Sequence, residues 1–227
     1  MIILLSPTKK QVRHPHNDGS ALLFNDTKEQ ILDHLKSFDE TDIKSRYKIS
    51  DSLTQKTLTD LQHYQENSIA LYTYTGEAFK SLDAKTIPIE SAQKHLRIFS
   101  ALYGLLEPTH LISEYRLDML TRLDFNLYDL WRPIVTEYLN NLNQPIVNLA
   151  SHEFFNIIDT DAIKVPIYQV QFLNKNHKVV SAQAKKARGA FTRELLISQQ
   201  FKLDQVEIED YTFSHKENHT FIYIRNT

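Results

Sequence analysis

The stretch HLRIFSALYGLLEPTHLISEYRLD, residues 95–118, decides how the rest of the chain is read. Leu96, Phe99 and Tyr103 recur at helical spacing behind Ser91, a residue type that caps helix starts, so the pattern predicts an amphipathic helix over about residues 91–103. Gly104 follows the last periodic residue, where a left-handed backbone can close a helix without a Cβ clash, and Pro108 suits the first turn of a second short helix. The expected unit is helix, glycine turn, helix. Such a pair serves one of two ends: amides at the start of the second helix bind phosphate, or the pair is a corner of the core. Spacing alone favours the corner, because a single glycine is a weak signal. His95, Arg97 and Arg116 pull the other way, setting cationic groups on both sides of the turn as nucleic-acid phosphates favour.

Outward from this centre the chain alternates strands and helices. Residues 2–5, IILL, read as a buried strand that empties into Ser6-Pro7-Thr8-Lys9-Lys10, where the Ser6 hydroxyl and Lys9 ammonium suit a phosphate or carboxylate. Residues 11–19, with His14, His16 and Gly19, read as a loop. Three helices are expected between Asp26 and Tyr64, then a strand over 68–74 turned by Thr75-Gly76 into a helix near Glu77. Residues 128–141 give a helix with Trp131 inward as a core anchor and Pro133 in its first turn, since deeper in it would kink the helix. A strand at 145–150 delivers Asn148 and Ser151 to another strand-to-helix turn, with Glu153 just beyond. Both polar residues also have a plain capping role open to them.

Residues 164–173 and 179–184 alternate apolar with polar and read as a β-hairpin whose second strand delivers AKKARG. A helix beginning near Lys185 would aim free amides at the strand end, ringed by Lys185, Lys186 and Arg188. Gly189 inside a helix costs about 1 kcal/mol against alanine, which implies a close approach. Residues 211–225 close the chain with a second hairpin.

Composition bounds the rest. A chain of 227 residues with 41% hydrophobic content and no Pro-, Gly- or Ser-rich linker is expected to form a single domain over residues 1–227. The class is α/β, a mixed sheet with surrounding helices and a helix-hairpin-helix-like element at about residues 91–114. The apolar run at the start is too short for a signal peptide and no window reaches membrane-spanning length, so a cytoplasmic chain with no membrane partner is expected, as a monomer. The absence of cysteine excludes disulfides and thiol-based peroxide sensing within the chain. A formal net charge of -2 speaks against indiscriminate adhesion to nucleic acid, yet Lys185, Lys186, Arg188 and Arg193 form a local basic run. No ferritin-like pairing of Glu-x-x-His segments occurs, and neither metal nor cofactor is expected.

Several ordered motifs carry a family resemblance: Ser6-Pro7-Thr8-Lys9, Tyr74-Thr75-Gly76, HLRIFSALYGLLEP from His95, YRLDM from Tyr115, LYDLW from Leu127, NLAS from Asn148 and AKKARG from Ala184. Together they span nearly the whole chain, which resembles the YaaA family of bacterial peroxide-stress proteins. The resemblance implies a cytoplasmic protein that limits oxidative DNA damage linked to intracellular iron and binds DNA through a helix-hairpin-helix-like element. On that reading Ser6, Lys9, Thr75, Arg97, Gly104, Arg116, Asn148, Ser151, Lys185, Lys186, Arg188 and Arg193 are candidates for DNA or anion contact, with little sequence preference. The alternative is an enzyme acting on a nucleotide, nucleobase or damaged nucleic acid, because so many small polar groups fall at strand ends. Lys9, Lys186 and Glu153 are then the catalytic candidates, and no triad, metal set or P-loop names the reaction.

Overall fold

The computed structural model describes residues 1–16 and 18–226. Asn17, in the expected loop, and the final Thr227 lie outside them. The chain forms one α/β domain in which β1 (Ile2–Leu5), fully buried, is an interior strand of the main sheet. Helices α1 (Asn25–Lys36), α2 (Glu40–Tyr47) and α3 (Asp51–Gln62) follow, as the 3.6-residue periodicity predicts.

The expected strand at 68–74 is cut short. β2 (Ser68–Ile69) gives way to a single turn, α4 (Ala70–Thr73), because the Thr73 hydroxyl bonds back to the Ile69 carbonyl at 2.8 Å. Gly76 then introduces α5 (Glu77–Leu82), and α6 (Ile89–His95) leads into the decisive stretch.

That stretch is not a helix-hairpin-helix. β3 (Leu96–Ser100) pairs in parallel with β1, Ile3 opposite Leu96 and Leu5 opposite Ile98, and returns antiparallel as β4 (Gly104–Leu106). All residues from 96 to 106 are buried, so both faces of this hairpin are covered. A helix there would leave one edge of β1 without ladder partners, a cost that outweighs helical spacing. Gly104 does take a left-handed backbone, φ +71°, but it closes a β-turn. A Cβ there would lie 2.6 Å from the Trp131 ring.

β5 (Leu111–Ile112) pairs with β2 in a separate two-stranded sheet. α7 (Leu127–Leu142) buries Trp131, whose indole N–H donates to the Ala101 carbonyl at 2.9 Å. Pro133 sits in the second turn of α7 and not the first, so the Asp129 carbonyl lacks its helical donor. β6 (Ile146–Asn148) lies on the other side of β1, α8 (His152–Phe155) follows, and β7 (Ile167–Leu173) comes next.

The expected hairpin at 164–184 does not form. Residues 181–198 are α9 (Ser181–Ser198), and β7 takes as partners β6 and the far strand β9 (Thr220–Arg225), both parallel. AKKARG therefore lies inside α9 and not at its free amides, which belong to residues 181–183; the Ala184 N–H already donates to the Val180 carbonyl at 2.9 Å. Gly189 serves a helix crossing: a Cβ there would sit 1.9 Å from the Ala78 carbonyl oxygen of α5. β8 (Tyr211–Glu217) completes the closing hairpin with β9. The sheet order is β4-β3-β1-β6-β7-β9-β8.

Candidate functional site

The chain leaves β1 toward β3 on one side and returns to β6 on the other, so the connections diverge at the carboxyl ends of β1 and β6. Open α/β sheets bind ligands in the crevice at such a switch point. A cavity of about 290 Å³ lies there, bordered by the loop after β1, the starts of α5 and α8, the segment 115–118 and the flank of α9.

The two strand ends are tied by serines. Ser6 Oγ accepts from the Ser151 N–H at 2.8 Å and donates to Ser151 Oγ at 3.2 Å. Ser151 is the backbone N-cap of α8 but makes no side-chain cap, because its hydroxyl faces Ser6. Thr8 packs where a Cβ on Gly76 would fall, 2.1 Å from Thr8 Oγ1, which lets α5 start against the loop. Lys9 Nζ pairs with Asp118 Oδ2 at 2.6 Å at the mouth.

Two further groups set the electrostatics. Burial pushes the Glu153 carboxyl above the usual glutamate range, and Asp118 adds to this; the Met119 N–H, Lys9 and Lys185 oppose it. Arg188 borders the cavity, and among the described residues its guanidinium has no ion pair and its buried Nε no acceptor. Burial alone lowers its pKa, far from enough to discharge an arginine at neutral pH. Lys185 and Arg116 line the same space without an ion pair among the described residues. Glu77, by contrast, is held below its usual range by Lys80, with Lys186 3.8 Å away.

The structure thus brings Ser6, Lys9, Arg116, Ser151, Glu153, Lys185 and Arg188 to one cleft. Thr75 stands behind it, donating its N–H and hydroxyl to the Lys10 carbonyl. Lys186 turns to Glu77. Asn148 faces a second, open groove of about 900 Å³ on the other side of Arg188, bonded to Gln169 Oε1 at 2.6 Å. Arg193 reaches away to Thr86 and Glu194. Arg97 and Gly104 are elsewhere: Arg97 is buried against Glu107 at 2.8 Å, and Gly104 lies under Trp131. Asp118, Glu77 and Tyr115 line the cleft without having been singled out as candidates; Tyr115 and Asp118 belong to the YRLDM motif, which is the signal that points to them.

This is an α/β domain whose switch-point cleft gathers four cationic side chains, Lys9, Arg116, Lys185 and Arg188, beside the carboxyls of Glu77, Asp118 and Glu153. The model of the family described as peroxide stress protein YaaA matches residues 1–217, and the chain belongs to this family. It is similar to the UPF0246 protein of Flavobacterium psychrophilum, 33% identical over 99% of this chain and 100% of the relative. It is likewise similar to a UPF0246 protein of Marinomonas sp., 34% identical over 92% and 89%, and to one of Francisella philomiragia, 32% identical over 94% and 95%. Among the described residues no helix is long and apolar enough to cross a membrane.

Proposed function

We propose that this peroxide-stress family member protects DNA by binding it at the switch-point cleft, which takes one phosphate-bearing nucleotide unit. The observation that carries the reading is Arg188. Arg188 is half-buried and its buried Nε has no acceptor among the described residues; leaving a buried donor unpaired is costly, and an anion entering the cleft supplies the missing acceptor. Lys185 and Arg116 add charge on the walls, and the Ser151 hydroxyl, which accepts from Ser6 and keeps its own proton to give, adds a small donor. The buried hairpin of residues 96–106 takes no part, so contact with the backbone comes from side-chain cations in the cleft and not from hairpin amides. Iron enters this reading as the source of radicals that damage DNA. Among the described residues no group of three or more His, Cys, Asp or Glu that could hold a metal ion occurs.

Glu153 favours a second reading, catalysis on the bound nucleotide, base or damaged strand. A carboxyl whose pKa is raised by burial and by Asp118 is suited to donate a proton to a leaving group. The test is Arg188→Met, read by titration with a deoxynucleoside monophosphate and with duplex DNA. Loss of an ion-assisted bond of about 1.5–3 kcal/mol weakens both by roughly tenfold or more, while urea denaturation of the free protein shows no loss of stability. Unchanged affinity for both ligands removes the cleft from the reading.

A further inference from the structure

A chain of phenols, buried except for the half-buried Tyr64 at its end, runs from this cleft through the core to a separate surface groove. Tyr115 lines the cleft and is 7% exposed. Its hydroxyl bonds Ser100 Oγ at 2.8 Å and the Tyr74 hydroxyl at 3.0 Å. The Tyr115 ring meets the Tyr103 ring edge-on, centroids 5.4 Å apart. The Tyr103 hydroxyl lies 2.8 Å from that of Tyr64, which lines a groove with Lys36 and Phe38 on the far side of the hairpin.

The polarity of the far end is fixed. The single proton of Tyr64 goes to Glu66 Oε1 at 2.5 Å, so Tyr103 must donate to Tyr64, and Tyr103 in turn accepts from the Ser113 N–H at 2.9 Å. Glu66 pairs with the buried Lys28, 2.8 Å away. The wire therefore ends on a carboxylate placed to receive a phenolic proton. Satisfying buried hydroxyls does not require this arrangement, since phenylalanine at these positions would need no partners at all.

Resting on the reading of the cleft as a nucleotide site, we propose that Tyr115, Tyr103 and Tyr64 form a relay that repairs a one-electron-oxidised ligand and exports the oxidising equivalent to the Tyr64 groove. The radical in the cleft gains one electron from Tyr64, by way of Tyr103 and Tyr115, and one proton from cleft water. Tyr64 loses that electron, its phenolic proton moves to Glu66 Oε1, and a neutral phenoxyl remains. A soluble one-electron donor of the thiol or ascorbate class reduces the phenoxyl from the groove, and Glu66 returns the proton. Lys28 and Lys36, with Nζ 5.9 and 5.4 Å from the Tyr64 ring centre, disfavour a cationic ring, so oxidation there expels the proton. Burial also keeps the phenols protonated until that moment, with Tyr115 pushed up to about 12. This gives a chain without cysteine a route for radical chemistry.

The absence of native cysteine permits a clean test. Leu120→Cys, at a 72% exposed position two residues past Asp118, carries a ruthenium photo-oxidant at the cleft mouth. A flash with an external quencher then oxidises the protein, and transient absorbance and freeze-quench electron paramagnetic resonance read the phenoxyl. The full-length labelled protein should give a long-lived phenoxyl that is lost in Tyr64→Phe and in Tyr103→Phe and kept in Tyr72→Phe, a half-buried tyrosine off the chain. Glu66→Gln should shorten its lifetime. Absence of the phenoxyl in the labelled protein, or its survival in Tyr64→Phe, overturns the proposal, as does survival in a folded Tyr103→Phe. Should Tyr103→Phe unfold, Tyr64→Phe at the groove rim decides alone. No ligand is present, so failure here leaves nucleotide binding standing, and failure of nucleotide titrations leaves the relay standing.

Discussion

Arg97 and Arg188 are both largely removed from water, and both stood as candidate anion contacts, yet their surroundings are opposite. Arg97 spends its donors inside the protein: on Glu107 at 2.8 Å, the Tyr138 hydroxyl at 3.0 Å, and the Gln93 and Leu96 carbonyls at 2.9 and 2.8 Å. Arg188 reaches between two cavities, its Nε without an acceptor. The first arginine locks β3 and β4 against α7; the second is left open at the cleft. A buried cation marks a site only when its hydrogen bonds remain to be made by something else.

The largest effects should come from breaking the satisfied side. Glu107→Gln keeps the shape but leaves Arg97 buried without its counter-charge, and should cost about 3 kcal/mol in chemical denaturation. A loss under about 1 kcal/mol would show that Arg97 is as uncompensated as Arg188 and would erase the contrast. Gly104→Ala comes next. Its φ of +71° and a Cβ 2.6 Å from the fully buried Trp131 combine strain of about 1 kcal/mol with overpacking of about 1–3 kcal/mol. The expected destabilisation is at least about 2 kcal/mol, and a near-neutral result would mean that the hairpin can yield.

How far the sequence reveals this contrast depends on what each segment buries. The helices α1 to α3 and the closing hairpin are legible because one face is apolar and the other wet, so the period is visible, while the fully buried IILL is legible as a short continuous apolar run ending at Ser6-Pro7. Residues 96–106 are buried throughout, and there Leu96, Phe99 and Tyr103 match a helix without being one. Parallel pairing also hides: β7 joins β6 and β9 across long sequence gaps, while the neighbouring 179–184 segment, which looked like its partner, opens α9. That the strand-end polar residues Ser6, Lys9, Ser151 and Glu153 come to one cleft was legible, since strand ends follow from the elements. Which arginine meets a carboxylate was not, because Glu107 reaches Arg97 through a turn whose form the periodicity misreads.

A smaller effect should separate the two regions by pH. Glu153 holds its proton more tightly in the folded than in the unfolded chain, so its contribution to stability is present below the usual value of 4.5 and is lost as pH rises through the raised folded value. Glu153→Gln should abolish that decline and leave a flatter stability curve above 4.5. Anion affinity should also rise toward acid pH in the parent and lose that rise in the variant. A decline of equal slope in Glu153→Gln would assign the titration to another carboxyl.

The smallest difference lies between two adjacent lysines of α9. Lys185 lines the cleft, whereas Lys186, 64% exposed, faces Glu77 at 3.8 Å outside it. An exposed pair of that kind is worth little, so Lys186→Ala should leave stability within about 0.5 kcal/mol of the parent. Each phosphate neutralised releases condensed counterions and adds about 0.9 to the slope of log affinity against log salt. Lys185→Ala should therefore lower that slope for duplex DNA by about 1, and Lys186→Ala by clearly less, because Glu77 already compensates part of its charge. Equal reductions would mean that the DNA footprint covers the whole basic face of α9. A larger reduction for Lys186 would move the footprint off the cleft, and the open guanidinium of Arg188 would then mark a site for a small anion separate from DNA.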